Sequence, residues 1–448
     1  MYRHLSWKEF KTTFNLSLPL MLAEVLHSCS GFIGVLIVAR LGQQALAASA
    51  LVNLAWFTLI AFSFGMLNAV SILVSRLNGE NKPHDIKIVM SQTFNIVLIL
   101  TLVIFGLFSL LPYLLTWTGQ PENIIQLGMQ YGYALRWTVP ALILLIALEQ
   151  FLYGLHQTRL IFIISVLQIP LEILAMFVLA FGLGGVPAWG IQGVAYGQAW
   201  VFTLAVIVIM LYLSLNKKFR VYQIGSYFSW CWRYCWAILK TGSSIGLMYL
   251  VELAAFFCLS VMIAHINSQV LGANQLTMQY LSIILTITMA ISQVVTVRVG
   301  YAIGQNTTDL LTSYILTGLV LALLITISTA LIYIMIPRTL LAINVGYEHD
   351  TGALLNYFKQ LIALAGVYQI VDCCRVIISG ALRAFQDTYF LMWSSVVAFF
   401  GAAMPAAYFL GFVMKWASVG IWCGMIIGTA VGCAIVAARL YYHGLARI

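Results

Sequence analysis

Apolar runs separated by short polar breaks recur along the whole chain. A helix needs about 20 apolar residues to cross a bilayer. About twelve runs meet that length, starting near Asn15, Leu46, Lys87, Tyr131, Leu160, Gly190, Thr241, Gln275, Leu311, Asn356, Thr388 and Ala417. No run alternates apolar and polar positions in the manner of a membrane β-barrel, so the pattern predicts an all-α polytopic membrane protein. The first run is too long for the apolar core of a signal peptide and leads into Val38-Ala39-Arg40-Leu41-Gly42 rather than a cleavage site, so it is expected to stay in place. The segment before it, Met1–Phe14, is basic and carries Tyr2, Trp7 and Phe10. It is expected to lie at the membrane interface.

Composition sharpens this picture. The 448 residues are 62% hydrophobic and 8% charged, where a soluble domain carries about 25% charged residues. The formal net charge of +9 would suit a nucleic-acid partner, but its distribution argues against one. Lys and Arg gather in alternate loops: Arg3, Lys8 and Lys11; Arg76, Lys82 and Lys87; Arg159; Lys217, Lys218, Arg220, Arg233 and Lys240; Arg298; Arg383; Arg439 and Arg447. The other loops hold only Arg40, Arg338, Lys359 and Lys415. The positive-inside rule then places both termini in the cytoplasm, consistent with an even number of spans. The cysteines are expected to be reduced apolar fillers; Cys231 and Cys235 share a helix face but have no histidines at metal-site spacing.

The chain also repeats itself at an offset of about 225 residues, counting six spans per half. Ala39–Leu51 lies over Ala264–Leu276, Gly79-Glu-Asn81 over Gly304-Gln-Asn306, and Pro112 over Pro337. With small insertions, Gln157-Thr158 matches Asp387-Thr388, Pro170 matches Pro405, and Gly193…Gly197 matches Gly420…Gly424. Two repeats inserted with the same orientation are a transporter signature, with binding sites near the midplane. Two lobes are expected, 1–214 and 241–448, joined by an amphipathic cytoplasmic helix over 215–240 that carries Tyr222, Tyr227, Phe228, Trp230, Trp232, Tyr234 and Trp236.

Chemistry should lie where ionisable groups interrupt the apolar runs, because a charge in hydrocarbon costs at least about 2.5–3.5 kcal/mol and persists in a polar cavity or a pair. Glu24 and His27 interrupt the first span, Glu149 the fourth, Glu172 the fifth, Glu252 the seventh and Asp372 the tenth. Burial penalises the charged form of a carboxylate and so favours proton capture at Glu252. Arg375, three residues after Asp372, can share its helix face and pair with it. At the 225 offset His27 falls on Glu252 and Glu149 lies two residues out of register with Asp372, which suggests a titratable pair in each lobe. Glu172 follows the helix-bending Pro170 and is a candidate for a cation gate or a packing joint. Glu24 is expected to snorkel toward the headgroups, and Arg136 is expected to be structural. The paired glycines of the sixth and twelfth spans permit close helix packing. No phosphate-binding, HExxH or nucleophile-elbow motif is present. That argues against an enzyme or an ATPase and for coupling to an ion gradient, with no cofactor.

Tyr368-Gln369-x-x-Asp372, followed by Gly380-Ala-Leu-Arg383-x-x-x-Asp387-Thr388, resembles the multidrug and toxic compound extrusion (MATE) family, in particular its NorM-type branch. Glu252 and Gly79-x-Asn81 fit the family pattern too. The resemblance covers nearly the whole chain. It implies two six-helix pseudo-symmetric lobes, an exporter of lipophilic or cationic drugs in exchange for H⁺ or Na⁺, and cation coupling at Glu252 and Asp372 with Tyr368 beside them, Na⁺ being held, if at all, by Glu252 and Asp372. Arg375 joins this coupling set through its pairing with Asp372, and a monomer in a bacterial-type inner membrane is expected. Gln275 and His27 are assigned to the substrate cavity on the same basis, and the intramembrane carboxylates Glu149 and Glu172 are assigned there from their place in the spans. Two positions depart from the pattern. Gly34 stands where many members carry a first-span Asp, and Arg375 replaces the Gln of Asp-x-x-Gln; a fixed positive charge there favours H⁺ over Na⁺. The alternative is a flippase of lipid-linked oligosaccharide, against which the acidic rather than cationic spans argue. A channel would show ion flux without an exchanged substrate.

Overall fold

A computed structural model describes residues 7–117, 119, 121–225, 229–345 and 352–445. Tyr2, Arg3, Tyr227, Phe228 and Arg447, invoked above, lie outside them. Among the described residues every regular element is helical. Eleven helices are long and apolar enough to cross a membrane. The pair Glu122–Leu135 and Thr138–Gly154, bent by 46°, completes a twelfth span. The spans follow the expected order, from Trp7–Arg40 to Ala417–Tyr442.

The repeat is written into the backbone. The second span, Gln43–Gly79, and the eighth, Ser268–Gly304, have the same 37-residue length. Each ends in the same turn, with Asn81 (φ 54°) and Asn306 (φ 55°) left-handed. Lys82 N donates to Leu77 O in one turn, and Thr307 N to Ala302 O in the other. Asparagine tolerates that conformation better than most side chains and closes the orphan carbonyls of a helix end. After the fourth and tenth spans the pattern recurs with His156 (φ 59°) and Gln386 (φ 62°). There Gln157 N donates to Leu152 O, and Asp387 N to Leu382 O. The paired glycines do pack closely: a Cβ on Gly424 would stand 2.2 Å from Ala407 N. The offset grows from 230 at Thr158/Thr388 to 235 at Pro170/Pro405, and a π-helical stretch, Val397–Ala403, lies just before Pro405.

The compact units are not cut where the sequence halves meet. One comprises Leu22–Gly246, the other Met1–Met21 with Leu247–Ile448. The first and seventh helices, Trp7–Arg40 and Trp232–Ala264, are some 50 Å long at about 1.5 Å per residue, against a hydrocarbon core of about 30 Å. Each has more length than a span needs, and each changes unit along its course. From Trp7 on, the expected interfacial lead-in is therefore part of the first helix. From it, Glu9 and Thr13 accept hydrogen bonds from the buried guanidinium of Arg298, and Thr13 meets Thr317 at 3.1 Å. In the other unit the start of the seventh helix packs against the second: a Cβ on Gly242 would lie 2.1 Å from Met66 O.

The linker departs from expectation as well. Lys217–Arg220 forms one helical turn, Gln223 and Gly225 take left-handed conformations, and the seventh helix begins at Trp232. A continuous helix over 215–240 is excluded by those reversals. Instead, Ser229 is tied to the third span, its N–H donating to Ser91 Oγ at 3.0 Å.

Candidate functional site

In the unit containing Leu247–Ile448, the seventh and tenth helices place Glu252, Asp372 and Arg375 in one cluster. Arg375 Nε donates to Asp372 Oδ1 at 2.8 Å, and Nη1 donates to Glu252 Oε1 at 2.7 Å. Nη2 also lies 2.8 Å from Asp372 Oδ1. Side-chain exposures of 5% for Arg375, 2% for Asp372 and 12% for Glu252 put this cluster under low dielectric, where an unpaired charge is costly. The i,i+3 spacing lets Arg375 reach Asp372 from one turn away. Glu252 comes from another helix, so the sequence suggested only the first of the two pairs. With both carboxylates ionised the triad carries one net negative charge, which a single proton or a single monovalent cation would cancel.

The surroundings are closely packed. The guanidinium lies over the Phe399 ring, 5.2 Å from its centroid. Tyr368 is buried one turn before Asp372, edge-to-face with Phe256 and Trp422. Trp422 Nε1 donates to Asn274 Oδ1 at 3.1 Å, and Gln369 Nε2 donates to Thr326 O and Thr329 Oγ1. The Gly380…Arg383 motif supports the same site. Gly380 lets the tenth helix close on the eighth, where a Cβ would stand 2.8 Å from Ser292 O. Arg383 then donates to Ser292 Oγ (2.9 Å) and to Tyr249 Oη (3.1 Å), one turn before Glu252. Asp387 binds Arg439 at 2.6 Å. Sequence reasoning missed Asn274 and Trp422 as partners. The signal available was a Trp inside the glycine motif of the twelfth span, a large donor that needs an acceptor when buried. Gln275, expected in the cavity, lies on an exposed helix face, while its neighbour Asn274 points inward.

In the unit Leu22–Gly246, Glu24, His27, Glu149, Tyr153 and Gln168 line one cavity of about 150 Å³. Glu24 thus faces the protein interior rather than the headgroups. His27 Nε2 lies 3.2 Å from Ser165 Oγ, which also reaches Ile161 O at 3.1 Å. Glu172 is not part of this lining. It is 3% exposed and accepts from Gln198 Nε2 at 3.3 Å. Arg136 sits at the bend of the fourth span among the rings of Phe105, Tyr133 and Trp137.

The structure corrects the symmetry argument for the two carboxylate pairs. The helices ending at Gly154 and Ala384 run unbroken into matching turns, Thr158 over Thr388, so their register is 230 rather than 225. In that register Asp372 falls on Leu142 and Arg375 on Leu145. Glu149 falls on Ser379, two helical turns from Asp372, and Tyr153 falls on Arg383. The first and seventh helices keep the offset of 225, placing His27 on Glu252 and Glu24 on Tyr249. The counterpart of the Glu24–Glu149–Tyr153 cavity is therefore the Tyr249–Arg383 cluster, not the arginine triad.

Known proteins carry the same architecture. The MatE family model matches residues 19–178 and 244–409, well over half of the chain. The chain belongs to the MatE family. A probable multidrug resistance protein NorM of Xylella fastidiosa (strain 9a5c) is 26% identical over 439 residues, covering 96% of this chain and 91% of the relative. A MATE protein solved in complex with MaL6 superposes with a TM-score of 0.88 at 18% identity, over 98% of both chains. An outward-facing multidrug resistance MATE family transporter of the MOP superfamily also gives 0.88, at 17% identity, over 98% of this chain and 97% of that one. At those identities the solved structures speak to the fold alone. MatE proteins are membrane transporters rather than enzymes, and the triad and the acidic cavity are polar clusters in this member's two units.

Proposed function

We propose that this MatE transporter exports lipophilic organic cations across the membrane in exchange for protons, with Glu252, Asp372 and Arg375 as the coupling triad. The observation that carries the reading is the buried guanidinium bonded to both carboxylates. A drug cation and a proton compete for the same single negative charge, and competition of this kind gives obligatory exchange. Each ligand shifts the transporter only by its differential affinity for the two orientations. Arg375 already occupies the position between the carboxylates where Na⁺ would sit, which supports H⁺ as the coupling ion. Tyr368 fixes the helix face that presents Asp372. His27, Glu149, Glu172 and Gln275 complete the substrate-facing set in this reading, with Glu172 acting through its buried bond to Gln198. The names of the NorM relatives support multidrug substrates. The loop charges support cytoplasmic termini in a bacterial-type inner membrane. Each chain carries the whole carboxylate set, so a monomer suffices.

Proteoliposomes loaded with ethidium and subjected to separate H⁺ and Na⁺ gradients test this. Efflux driven by the proton gradient and lost in Glu252→Gln is expected. Efflux that follows only the sodium gradient would overturn the choice of ion. The absence of gradient-driven efflux for several cationic dyes would overturn the substrate class.

A further inference from the structure

Another cavity, of about 580 Å³, lies where the ninth span gives way to the tenth. The ninth span, Leu311–Met335, is followed after Ile336 by the short helix Pro337–Val345, and the tenth helix begins at Gly352. Arg338 of the short helix and Lys359 of the tenth both line the space, together with Tyr333, Ile334, Met335 and Ile336. The described lining thus holds two cations and no acid. Among the described residues neither cation takes part in an ion pair or a hydrogen bond. The volume is within the range of about 300–1,000 Å³ typical of small-molecule sites.

The helical framework does not need either cation. Arg338 stands in the first turn of its helix, where the macrodipole disfavours positive charge and favours an anion. One turn to either side of Lys359 stand Leu355, Asn356, Ile362 and Ala363, so its own helix face offers no acid. In the repeat Pro337 falls on Pro112 and Arg338 on Tyr113. Lys359 falls within 129–134 for offsets of 225 to 230, and that stretch holds no Lys or Arg. The first half therefore builds the same connection, Leu111–Trp117, without the two charges. With the termini cytoplasmic, as proposed above, this is the outer face, where basic residues are scarce. The outer loops hold Arg40, Arg338, Lys359 and Lys415, and two of these from different helices meet in one cavity. Its apolar wall is open: Ile334 is 59% exposed and Met335 78%, at the end of a span. Paired positive charge beside an apolar face matches an anionic amphiphile.

We propose that this cavity binds one anionic phospholipid, with its phosphodiester between Arg338 and Lys359 and its acyl chains running along the exposed Ile334–Met335 face. The planar guanidinium matches two phosphate oxygens at once, and the ammonium adds a point charge. The cavity takes the glycerophosphate end of the lipid, and the chains remain in the bilayer. A soluble phosphate ester carries the same charge but leaves the apolar wall uncovered. A headgroup held in this way ties the short helix to the first turns of the helix that carries Asp372 and Arg375. Lipid binding is measured without drug or ion gradient, so this site and the exporter reading fail separately.

The test uses the purified full-length transporter, delipidated in detergent, and native mass spectrometry with added phosphatidylglycerol, phosphatidylcholine or glycerol 3-phosphate. Wild type should retain one phosphatidylglycerol that Arg338→Gln/Lys359→Gln loses, while phosphatidylcholine is retained equally by both. Each single Gln substitution should weaken that adduct about five-fold, the worth of one basic side chain beside an anionic headgroup. Lys359→Arg should keep it. Lys415→Gln removes an outer cation that is not in the described lining, and should leave the adduct in place. Arg338 is exposed, so Arg338→Gln carries the test should the double variant fold poorly. Retention unchanged in the Gln variants, or lowered equally by Lys415→Gln, would overturn the proposal. Displacement of the lipid by an equal concentration of glycerol 3-phosphate would assign the cavity to a soluble anion and overturn the lipid occupant.

Discussion

Replacing Arg375 with methionine leaves Asp372 and Glu252 buried without their counter-charge. Two unit charges about 4 Å apart attract by about 4 kcal/mol at an effective dielectric of about 20. Removing one partner of a buried ion pair costs about 3–5 kcal/mol by measurement. Both bonds here end on side chains that are 12% exposed or less, so solvent screening does little to reduce that figure. Substituting the carboxylates alone is expected to cost less, because Glu252→Gln leaves Arg375 bonded to Asp372. The informative comparison is with the triple variant Arg375→Met/Glu252→Gln/Asp372→Asn, in which no charge remains. Replacing a whole buried ion cluster is often neutral or stabilising, so the triple should recover most of what Arg375→Met loses. The assay is intrinsic tryptophan fluorescence during thermal unfolding in detergent at one fixed scan rate, since apparent midpoints of irreversible unfolding depend on that rate. The expected order of midpoints is wild type, then Glu252→Gln, then the triple, then Arg375→Met. If Arg375→Met melts with wild type, or the triple melts no higher than Arg375→Met, the guanidinium is not compensating the two carboxylates.

Gly242→Ala should destabilise by about 1–3 kcal/mol, because its Cβ would meet Met66 backbone oxygen at 2.1 Å. Gly272→Ala, whose nearest atom is Leu354 Cδ1 at 3.9 Å, should melt like wild type. Trp422→Phe removes the donor to Asn274 Oδ1, whose amide nitrogen already lacks a partner; a loss of about 1–3 kcal/mol is expected in the same melting assay. Glu9→Gln should lower the midpoint more than Glu80→Gln, because Arg298 is buried while the Lys82–Glu80 bridge is largely exposed. Lys82 and Arg76 hold the Glu80 carboxyl below its ordinary value of 4.5. A depressed folded value stabilises above the unfolded value and is lost as pH falls through the folded one. Melting of wild type and Glu80→Gln should therefore differ at neutral pH and converge as the pH drops below about 4.5; a gap that persists in acid would refute the assignment.

The spans could be read from the sequence because hydrocarbon demands about 20 apolar residues whatever surrounds them. The repeat could be read because turns with left-handed Asn81 and Asn306 tolerate few side chains. The Asp372–Arg375 pair was visible because both residues lie on one helix. The Glu252–Arg375 bond was not, because it joins residues 123 positions apart. The register of the fourth and tenth spans was also hidden. The offset of 225 that holds at Pro112 and Pro337 becomes 230 at Thr158 and Thr388, and the unbroken helix before Ala384 places the change ahead of Tyr368. Apolar positions alone do not report such an insertion, since the helical pattern resumes after it. The linker failed for a similar reason. Its aromatic residues suit an interfacial helix, but the left-handed Gln223 and Gly225 break it.

The two halves of the chain use one helical framework to hold different charges. At the triad, two carboxylates and Arg375 leave one negative charge when ionised; at the Glu24–Glu149 cavity, the lining among the described residues holds two carboxylates and His27 but no Lys or Arg. The triad can release its external cation and remain internally paired, because Arg375 stays bonded to both acids. The cavity has no such guanidinium between its two acids. This asymmetry bears on Gly34 as well. The acidic side chains of the first-half cavity come from Glu24 and Glu149, and the first span keeps a glycine at position 34, where a Cβ would meet only Met176, at 3.6 Å.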